Sequence, residues 1–176
     1  WTDLVAGRIG MLDVLRNDGT GRFSVVQSVA VPNPHPLSGP VPVVGDIDND
    51  GDADVLGVQW GQSVMLVNDG MGRLVPDTQR LPALLTLGFS GAFGDIDEDG
   101  DLDIVIPIGW FQSYAYLNDG RGYFADATAS RLGIIYGVND EVVLGDLDGD
   151  RDLDLVFGPF GDGPLPVYTN RLRHVD

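Results

Sequence analysis

The sequence predicts an all-β fold made of repeated units, each holding four short strands. Three observations lead to this prediction. An acidic motif ends at Asp54, Asp103 and Asp154, which are 49 and 51 residues apart, and each copy runs into an apolar stretch. An Asn-Asp-Gly turn recurs in step with it, at residues 17–19, 68–70 and 118–120. No segment shows the apolar spacing of an amphipathic helix.

Residues 41–80 show the strands of one unit. The predicted strands A to D are Val41 to Gly45, Asp54 to Val58, Ser63 to Val67 and Arg73 to Thr78. The acidic loop joins A to B, and the Asn-Asp-Gly turn joins C to D. Such a turn after an apolar run is a hairpin signal, because its residues tolerate positive φ. Four short strands in a repeat of this length are typical of a β-propeller blade.

The chain holds about three and a half such blades. We place them at residues 1–40, 41–90, 91–141 and 142–176, with strand A missing from the first and strand D from the last. A propeller needs roughly four to eight blades to close. The rest of the ring is therefore expected from a longer chain or from other copies of this one. A start in the middle of a repeat favours the longer chain.

The negative charge is concentrated in three places. The 176 residues carry a formal charge of −17, and fifteen of the 27 acidic residues alternate along three nine-residue runs. Without those fifteen carboxylates the net charge would be about −2. Acidity of this extent argues against binding to nucleic acid or to anionic membranes. No apolar run is long enough to insert into a membrane, and the absence of cysteine excludes disulfides and thiolate metal sites.

The acidic runs predict three calcium sites. In the pattern Asp-x-Asp-x-Asp-Gly-x-x-Asp, a tight turn directs the side chains at positions 1, 3, 5 and 9 and the carbonyl of position 7 towards one point. Hard oxygen donors in that number suit Ca²⁺. Zinc would require histidine or cysteine nearby. The predicted metal-binding residues are Asp46, Asp48, Asp50, Asp52, Asp54, Asp95, Asp97, Asp99, Asp101, Asp103, Asp146, Asp148, Asp150, Asp152 and Asp154.

These loops differ from an EF-hand, which needs flanking helices and a glutamate at position 12. Position 12 is occupied here by Gly57, Ile106 and Phe157, and strands flank the loop. In the third run Arg151 stands where the first two have glycine, while Gly149 lies two residues earlier. We therefore expect an altered geometry in the third loop.

The segment from Gly45 to Gly57 resembles the FG-GAP (VCBS-type) repeat of integrin α-subunit propellers and many bacterial secreted proteins. The segment from Tyr116 to Thr128 is similar to the C–D hairpin of the bacterial versions. The resemblance implies a seven-bladed ring with calcium in the A–B loops. It leaves the function open, since the family includes adhesins, lectins and accessory domains of enzymes.

A ligand is expected on the face opposite calcium, where the B–C loops and D–A linkers lie. The residues considered there are Trp60, Gln62, Trp110, Gln112 and Phe160. An aromatic ring can cover the apolar face of a sugar while an amide binds its hydroxyls. The same rings could instead pack between blades, and both interpretations stay open.

The sequence thus predicts a secreted or cell-surface module that binds protein or carbohydrate, with structural calcium. It contains no nucleophile elbow, histidine cluster or phosphate-binding loop, so we expect no enzyme activity. Two alternatives remain: a non-catalytic accessory propeller of a larger secreted enzyme, and a partial propeller that completes a ring by self-assembly.

Overall fold

Short antiparallel strands dominate the computed structural model, which describes residues 2–32, 38–82, 86–109, 111–133, 139–159 and 166–169. The first sheet is β1 (Leu4–Arg8), β2 (Met11–Asn17) and β3 (Phe23–Ala30). The second is β4 (Val41–Gly45), β5 (Asp54–Val58), β7 (Val64–Asn68) and β8 (Leu74–Asp77). The third is β10 (Ala92–Gly94), β11 (Asp103–Ile106), β12 (Tyr114–Asn118) and β13 (Phe124–Asp126). The fourth is β14 (Asn139–Gly145), β15 (Asp154–Pro159) and β16 (Val167–Tyr168).

Within each sheet the strands are hydrogen-bonded in chain order. Strands β4 and β5 have the predicted bounds, whereas β7 and β8 differ from prediction by about one residue at each end. The pairing of Asn68 with Leu74 explains the shift, since the hairpin closes there and the Asp69 amide donates to the Arg73 carbonyl at 3.0 Å.

Two short elements were not predicted. Strand β6 (Trp60–Gly61) pairs with β9 (Thr86–Leu87) in a small ladder of its own, and one helical turn, α1 (Thr128–Arg131), follows β13. The ladder joins the B–C loop to the D–A linker of the same unit. Neither segment has enough residues for a periodic apolar pattern, so the sequence carries no signal for them.

Apolar clusters lie between successive sheets, because alternate residues of a strand point to opposite faces. In β5, Val55 packs in the cluster shared with the first sheet, while Leu56 and Val58 pack in the cluster shared with the third. A further cluster, which includes Val105 and Phe157, joins the third sheet to the fourth. The sheets therefore stack face to face in chain order.

Glycines before the acidic loops permit this close stacking. A Cβ placed on Gly45 would lie 2.8 Å from Cδ1 of Leu102, and one on Gly94 would lie 2.5 Å from Cδ1 of Leu144. Each leucine belongs to the following repeat. A side chain at either glycine would therefore force the facing leucine of the next sheet to move.

The two outward faces of the stack carry apolar rows of the same kind. Leu4, Leu15 and Val25 are cross-strand neighbours on the first sheet, on the face away from the second. On the fourth sheet, Val143 pairs with Val156, which pairs with Val167. Val143 is 63% exposed and Val25 is 54% exposed.

None of the helices among the described residues is both long and apolar enough to cross a membrane.

Candidate functional site

Three groups of aspartates converge within the acidic loops. In each group, one carboxylate oxygen per residue lies within 4.8 Å of the others. The groups are Asp46, Asp48 and Asp50; Asp95, Asp97 and Asp99; and Asp146, Asp148 and Asp154. The first two loops therefore bring positions 1, 3 and 5 together, whereas the third brings together positions 1, 3 and 9.

The loop folds around its own carboxylates. Asp46 accepts hydrogen bonds from the amides of Asp50 at 3.1 Å and Gly51 at 2.9 Å, and Asp50 accepts one from the amide of Asp52 at 2.9 Å. The second loop repeats all three bonds at 3.1, 3.0 and 3.0 Å. Short aspartate side chains are suited to this role, because they reach backbone amides a few residues ahead.

Positions 4 and 6 of every loop adopt the left-handed backbone conformation. In the third loop, Gly149 has a φ of 88° and Arg151 a φ of 84°, so the glycine occupies position 4 instead of 6. Asn49, at φ 57°, and Glu98, at φ 62°, take position 4 in the other loops. A β-carbon at such a φ is strained by roughly 1–2 kcal/mol. Each loop therefore places glycine at one of its two strained positions.

The predicted alteration of the third loop is a local one. Asp146 accepts hydrogen bonds from the amide of Gly149, at position 4, at 2.7 Å and from the amide of Arg151 at 3.2 Å. In the other two loops the first of these bonds comes from the amide at position 5. The overall turn is kept.

The aspartate at position 9 fastens the loop to strand C. Asp103 is fully buried, and its Oδ2 accepts from the amide of Ile96 at 3.0 Å while its Oδ1 accepts from the amide of Asn118 at 2.9 Å. Asp54 makes the equivalent bonds to Ile47 and Asn68, at 3.1 and 2.7 Å. In the first two loops these aspartates are thus anchors of the hairpin, and each oxygen keeps one lone pair.

In the first two loops the aspartate at position 3 forms a salt bridge with an arginine. Arg80 Nη1 lies 3.2 Å from Oδ2 of Asp48, and Arg131 Nη2 lies 3.0 Å from Oδ2 of Asp97. The other oxygen of each carboxylate, Oδ1, is buried and has no hydrogen-bond partner among the described residues. A buried oxygen without a partner is costly unless something binds it. A cation at the centre of the group would satisfy that requirement.

Burial and mutual repulsion disfavour the ionised carboxylates. Loss of hydration raises the pKa of Asp103 to about 6, and the charges of Asp97 and Asp99 add to the effect. The pKa of Asp97 is also raised, first by burial and then by the charge of Asp99. Burial likewise raises the pKa of Asp54. A divalent ion would reverse these shifts by stabilising the charged forms.

The carboxylates at position 7 lie outside the three groups. Oδ1 of Asp101 accepts from Nδ2 of Asn49 at 2.7 Å, which joins the first and second acidic loops. Asp52 and Asp152 donate their amides to the aspartates two residues before them. Sequence reasoning missed Arg80 and Arg131. Their spacing of 51 residues matches the repeat and could have revealed them.

The comparison with known protein families decides the family. The model of the FG-GAP-like repeat matches residues 1–57 and 46–106, which together exceed half of the chain. The chain belongs to the FG-GAP-like repeat family. FG-GAP repeats are propeller blades, so the prediction of an all-β chain of blades is confirmed, and the four sheets are called blades below. Integrin alpha-7 of Homo sapiens is 34% identical over 125 residues, 61% of this chain and 10% of the human protein. The chain thus spans about a tenth of that relative's length.

The B–C loops and D–A linkers of this FG-GAP chain lie on the face opposite the acidic loops, because successive strands run in opposite directions. The ladder of β6 with β9 lies there, and Nε2 of Gln59 in the second blade donates to the Pro32 carbonyl, in the linker from the first blade, at 2.7 Å. Trp60 is 39% exposed and lies 5.2 Å from Phe89 between ring centroids, at an angle of 50°. Gln62 is half-buried. Trp110 and Phe160 lie outside the described residues.

Gln112 has a structural role. Its Nε2 donates to the carbonyls of Ser113 at 2.9 Å and Gly133 at 3.1 Å, which ties the B–C loop of the third blade to its D–A linker. Its amide nitrogen is therefore committed to the backbone. Of the candidate ligand residues that the structure describes, Trp60 is 39% exposed and Gln62 lies half-buried beside it in the same loop.

Proposed function

We propose that this chain is a calcium-binding propeller module, in which each complete acidic loop holds one ion. The observation that supports this most directly is the pair of buried, unpartnered oxygens, Asp48 Oδ1 and Asp97 Oδ1, each within a group of converging carboxylates. Five carboxylates in nine residues, held partly out of water, repel one another, and a cation among them would relieve that repulsion. When bound, the ion would neutralise the loop and hold the A–B hairpin in place.

Calcium fits this donor set better than its competitors. Every side-chain donor in the three groups is a carboxylate oxygen, a hard ligand that Ca²⁺ accepts in flexible geometry. Magnesium keeps several of its waters and prefers a strict octahedron. Zinc prefers nitrogen and sulfur ligands, which the three groups lack.

Calorimetric titration of the metal-free protein tests the proposal. We expect about three calcium ions per chain, one for each group, and at least tenfold weaker binding of magnesium. Asp50→Asn should abolish or weaken binding at one site, because it removes a ligand charge while its amide oxygen can still accept from Asp52. Asp69→Asn, in the C–D turn, is the matched control, since Asp69 also accepts backbone amides but lies outside the groups. Identical titrations for the two variants would contradict the assignment, as would a wild-type protein that binds no calcium.

We propose a role outside the cell, in binding rather than catalysis. Modules with millimolar calcium affinity are filled in extracellular fluid and empty in the cytosol. The similarity to an integrin α-subunit supports an adhesion-type role. The converging carboxylates are explained by a structural ion, so they need no catalytic role.

We place the partner, a protein or a glycan, on the face that carries Trp60 and Gln62. Trp60 offers an exposed ring that packs against Phe89, and the half-buried Gln62 follows two residues later. A rigid aromatic surface beside a hydrogen-bonding group suits an apolar sugar face or a peptide. The acidic loops lie at the opposite end of the strands, so calcium and partner do not compete.

An array of glycans and extracellular proteins, probed in the presence of calcium, tests this face. Trp60→Ala should reduce binding at least tenfold, because it removes a large exposed aromatic ring of the kind that commonly dominates binding energy. Met71→Ala should bind like the wild type, since Met71 is equally apolar and 82% exposed but lies in a C–D turn on the calcium face. Unchanged binding by Trp60→Ala would remove this ring from the proposal.

A further inference from the structure

The side chain of Arg80 lies where the second blade meets the third. This side chain is 13% exposed, and its guanidinium contacts Asp48 in the acidic loop of its own blade and Asp77 at the end of β8, with Nε 3.1 Å from Oδ2 of Asp77. It also donates to the carbonyl of Arg121, and its Cζ lies 5.0 Å from the centroid of the Tyr123 ring. Arg121 and Tyr123 belong to the C–D hairpin of the third blade. One side chain therefore contacts a candidate metal loop and the neighbouring blade.

The backbone of Arg80 strengthens the same junction. Its carbonyl accepts from the amide of Phe124 at 2.9 Å, at the start of β13. Asn118 of the third blade donates to the carbonyl of Ile47, at position 2 of the acidic loop, at 2.8 Å. The loop and the hairpin are thus joined by contacts that depend on the position of Asp48 and its neighbours.

The two oxygens of Asp48 are used differently. Oδ2 receives Arg80, while Oδ1 is buried and has no partner among the described residues. Asp97 repeats the division, with Oδ2 on Arg131 and Oδ1 without a partner. In both loops the arginine fixes the carboxylate so that a single oxygen remains for an ion. Groups that orient a metal ligand from behind commonly change metal affinity by 10- to 100-fold.

We propose that Arg80 is a positioning residue that couples occupancy of the 46–50 loop to the packing of the second blade against the third. The inference rests on the proposed calcium site. An ion held by Oδ1 fixes Asp48, Asp48 fixes the guanidinium, and the guanidinium holds the Arg121–Tyr123 segment of the next hairpin. Arg131 orients the Asp97 carboxylate of the 95–99 loop in the same way. The parallel with Arg80 ends at that carboxylate.

A positive charge beside a calcium site also repels the ion, so the charge and the geometry of Arg80 must be separated. Lysine keeps the charge but carries its donors on one compact ammonium, so it lacks the planar fork through which Arg80 contacts Asp48, Asp77 and the Arg121 carbonyl. If charge alone mattered, Arg80→Lys would behave like the wild type and Arg80→Met would bind calcium more tightly. If position matters, both variants lose the coupling.

The experiment uses a reference protein that carries Asp99→Asn and Asp148→Asn, so that the first acidic loop alone has its full set of carboxylates. Both changes retain an oxygen for the backbone amide that each aspartate accepts. Hydrogen exchange of the peptide 119–126, which reports the Phe124 amide, is measured with and without calcium, together with the calorimetric calcium affinity. The variants are Arg80→Lys and Arg80→Met, and Arg131→Met is the matched control.

We expect calcium to slow exchange of this peptide at least tenfold in the reference and in Arg131→Met. In both Arg80 variants the calcium dependence should disappear and affinity should fall about 10- to 100-fold. If Arg80→Lys or Arg80→Met binds calcium and keeps the same calcium-dependent protection, the coupling is overturned while the proposed site stands. If the reference shows neither heat nor protection, the proposed site fails, and the coupling fails with it.

Discussion

Removing calcium will lower the midpoint of thermal unfolding by about 5–10 °C for each site that is emptied. An ion at a hundred times its dissociation constant stabilises the folded state by about 2.7 kcal/mol, because it binds the folded chain alone. In a domain of this size, 1 kcal/mol shifts the midpoint by about 2–4 °C. Scanning calorimetry in calcium and in excess chelator measures the difference. Equal midpoints in the two conditions would contradict a structural role for the ion.

The loss of stability on calcium removal will depend on pH. The buried carboxylates decide whether the metal-free protein becomes more or less stable as pH rises. Asp103 has a pKa of about 6 in the folded protein, above its ordinary value near 4, so it favours the folded state below pH 4. That contribution, about 3 kcal/mol, is lost as pH rises through 6. The pKa values of Asp54 and Asp97 are raised in the same direction.

The metal-free protein should therefore be more stable at pH 5 than at pH 7.5. We expect calcium to reverse the trend, because it would bind the deprotonated carboxylates and be displaced by protons. The calcium-dependent shift in midpoint should be small at pH 5 and largest at pH 7.5. Magnesium at the same concentration is the control and should give the smaller shift. A calcium effect that is as large at pH 5 as at pH 7.5 would show that the ion is held elsewhere.

The sequence was sufficient to predict the blades because their signals are local. Asn68, Asp69 and Gly70 specify a hairpin by their own conformational preferences, and the apolar runs on either side specify the strands. The acidic loop is local in the same sense, since Asp46 and Asp50 bind amides within five residues of themselves. Spacing therefore indicated that carboxylates converge in each loop, but not which of the five positions do so, since positions 1, 3 and 5 meet in two loops and positions 1, 3 and 9 in the third.

What the sequence could not predict depends on contacts between residues that only the folded chain brings together, within a blade or between blades. The pairing of Arg80 with Asp48 spans 32 residues, and its contact with Arg121 spans 41. The same limit applies to Asp103, whose spacing suggests a ligand but whose oxygens both bind amides that the fold brings to it. Gln112 also donates to the carbonyl of Gly133, 21 residues away, which gives its amide nitrogen a structural partner. Nothing in the residue types distinguishes such roles.

Replacing Asp103 with alanine will destabilise the metal-free protein by about 2–5 kcal/mol at pH 5. The amides of Ile96 and Asn118 lose their acceptor inside the protein, and each buried unpaired donor costs about 1–3 kcal/mol. Most single substitutions cost less, and a buried polar group left unsatisfied is one of the few causes of an effect of this size. Urea unfolding in chelator measures the free energy directly.

Asp101→Ala is the matched control. Asp101 lies two residues away in the same loop and carries the same charge, but its bond to Nδ2 of Asn49 is exposed, so its loss should cost less than about 1 kcal/mol. If Asp103→Ala is no more destabilising than Asp101→Ala, the position-9 carboxylate is not the anchor that joins the acidic loop to strand C.

The two variants will also differ in their response to pH. Alanine at position 103 removes the carboxylate whose ionisation weakens the metal-free fold, so the penalty of Asp103→Ala should shrink as pH rises from 5 to 7.5. The destabilisation caused by Asp101→Ala should change little with pH, because this variant keeps the Asp103 carboxylate. With calcium present, the cost of Asp103→Ala at pH 7.5 should grow again if the ion draws on a free lone pair of Asp103. If instead the cost stays at its metal-free value, Asp103 anchors the hairpin without binding the ion.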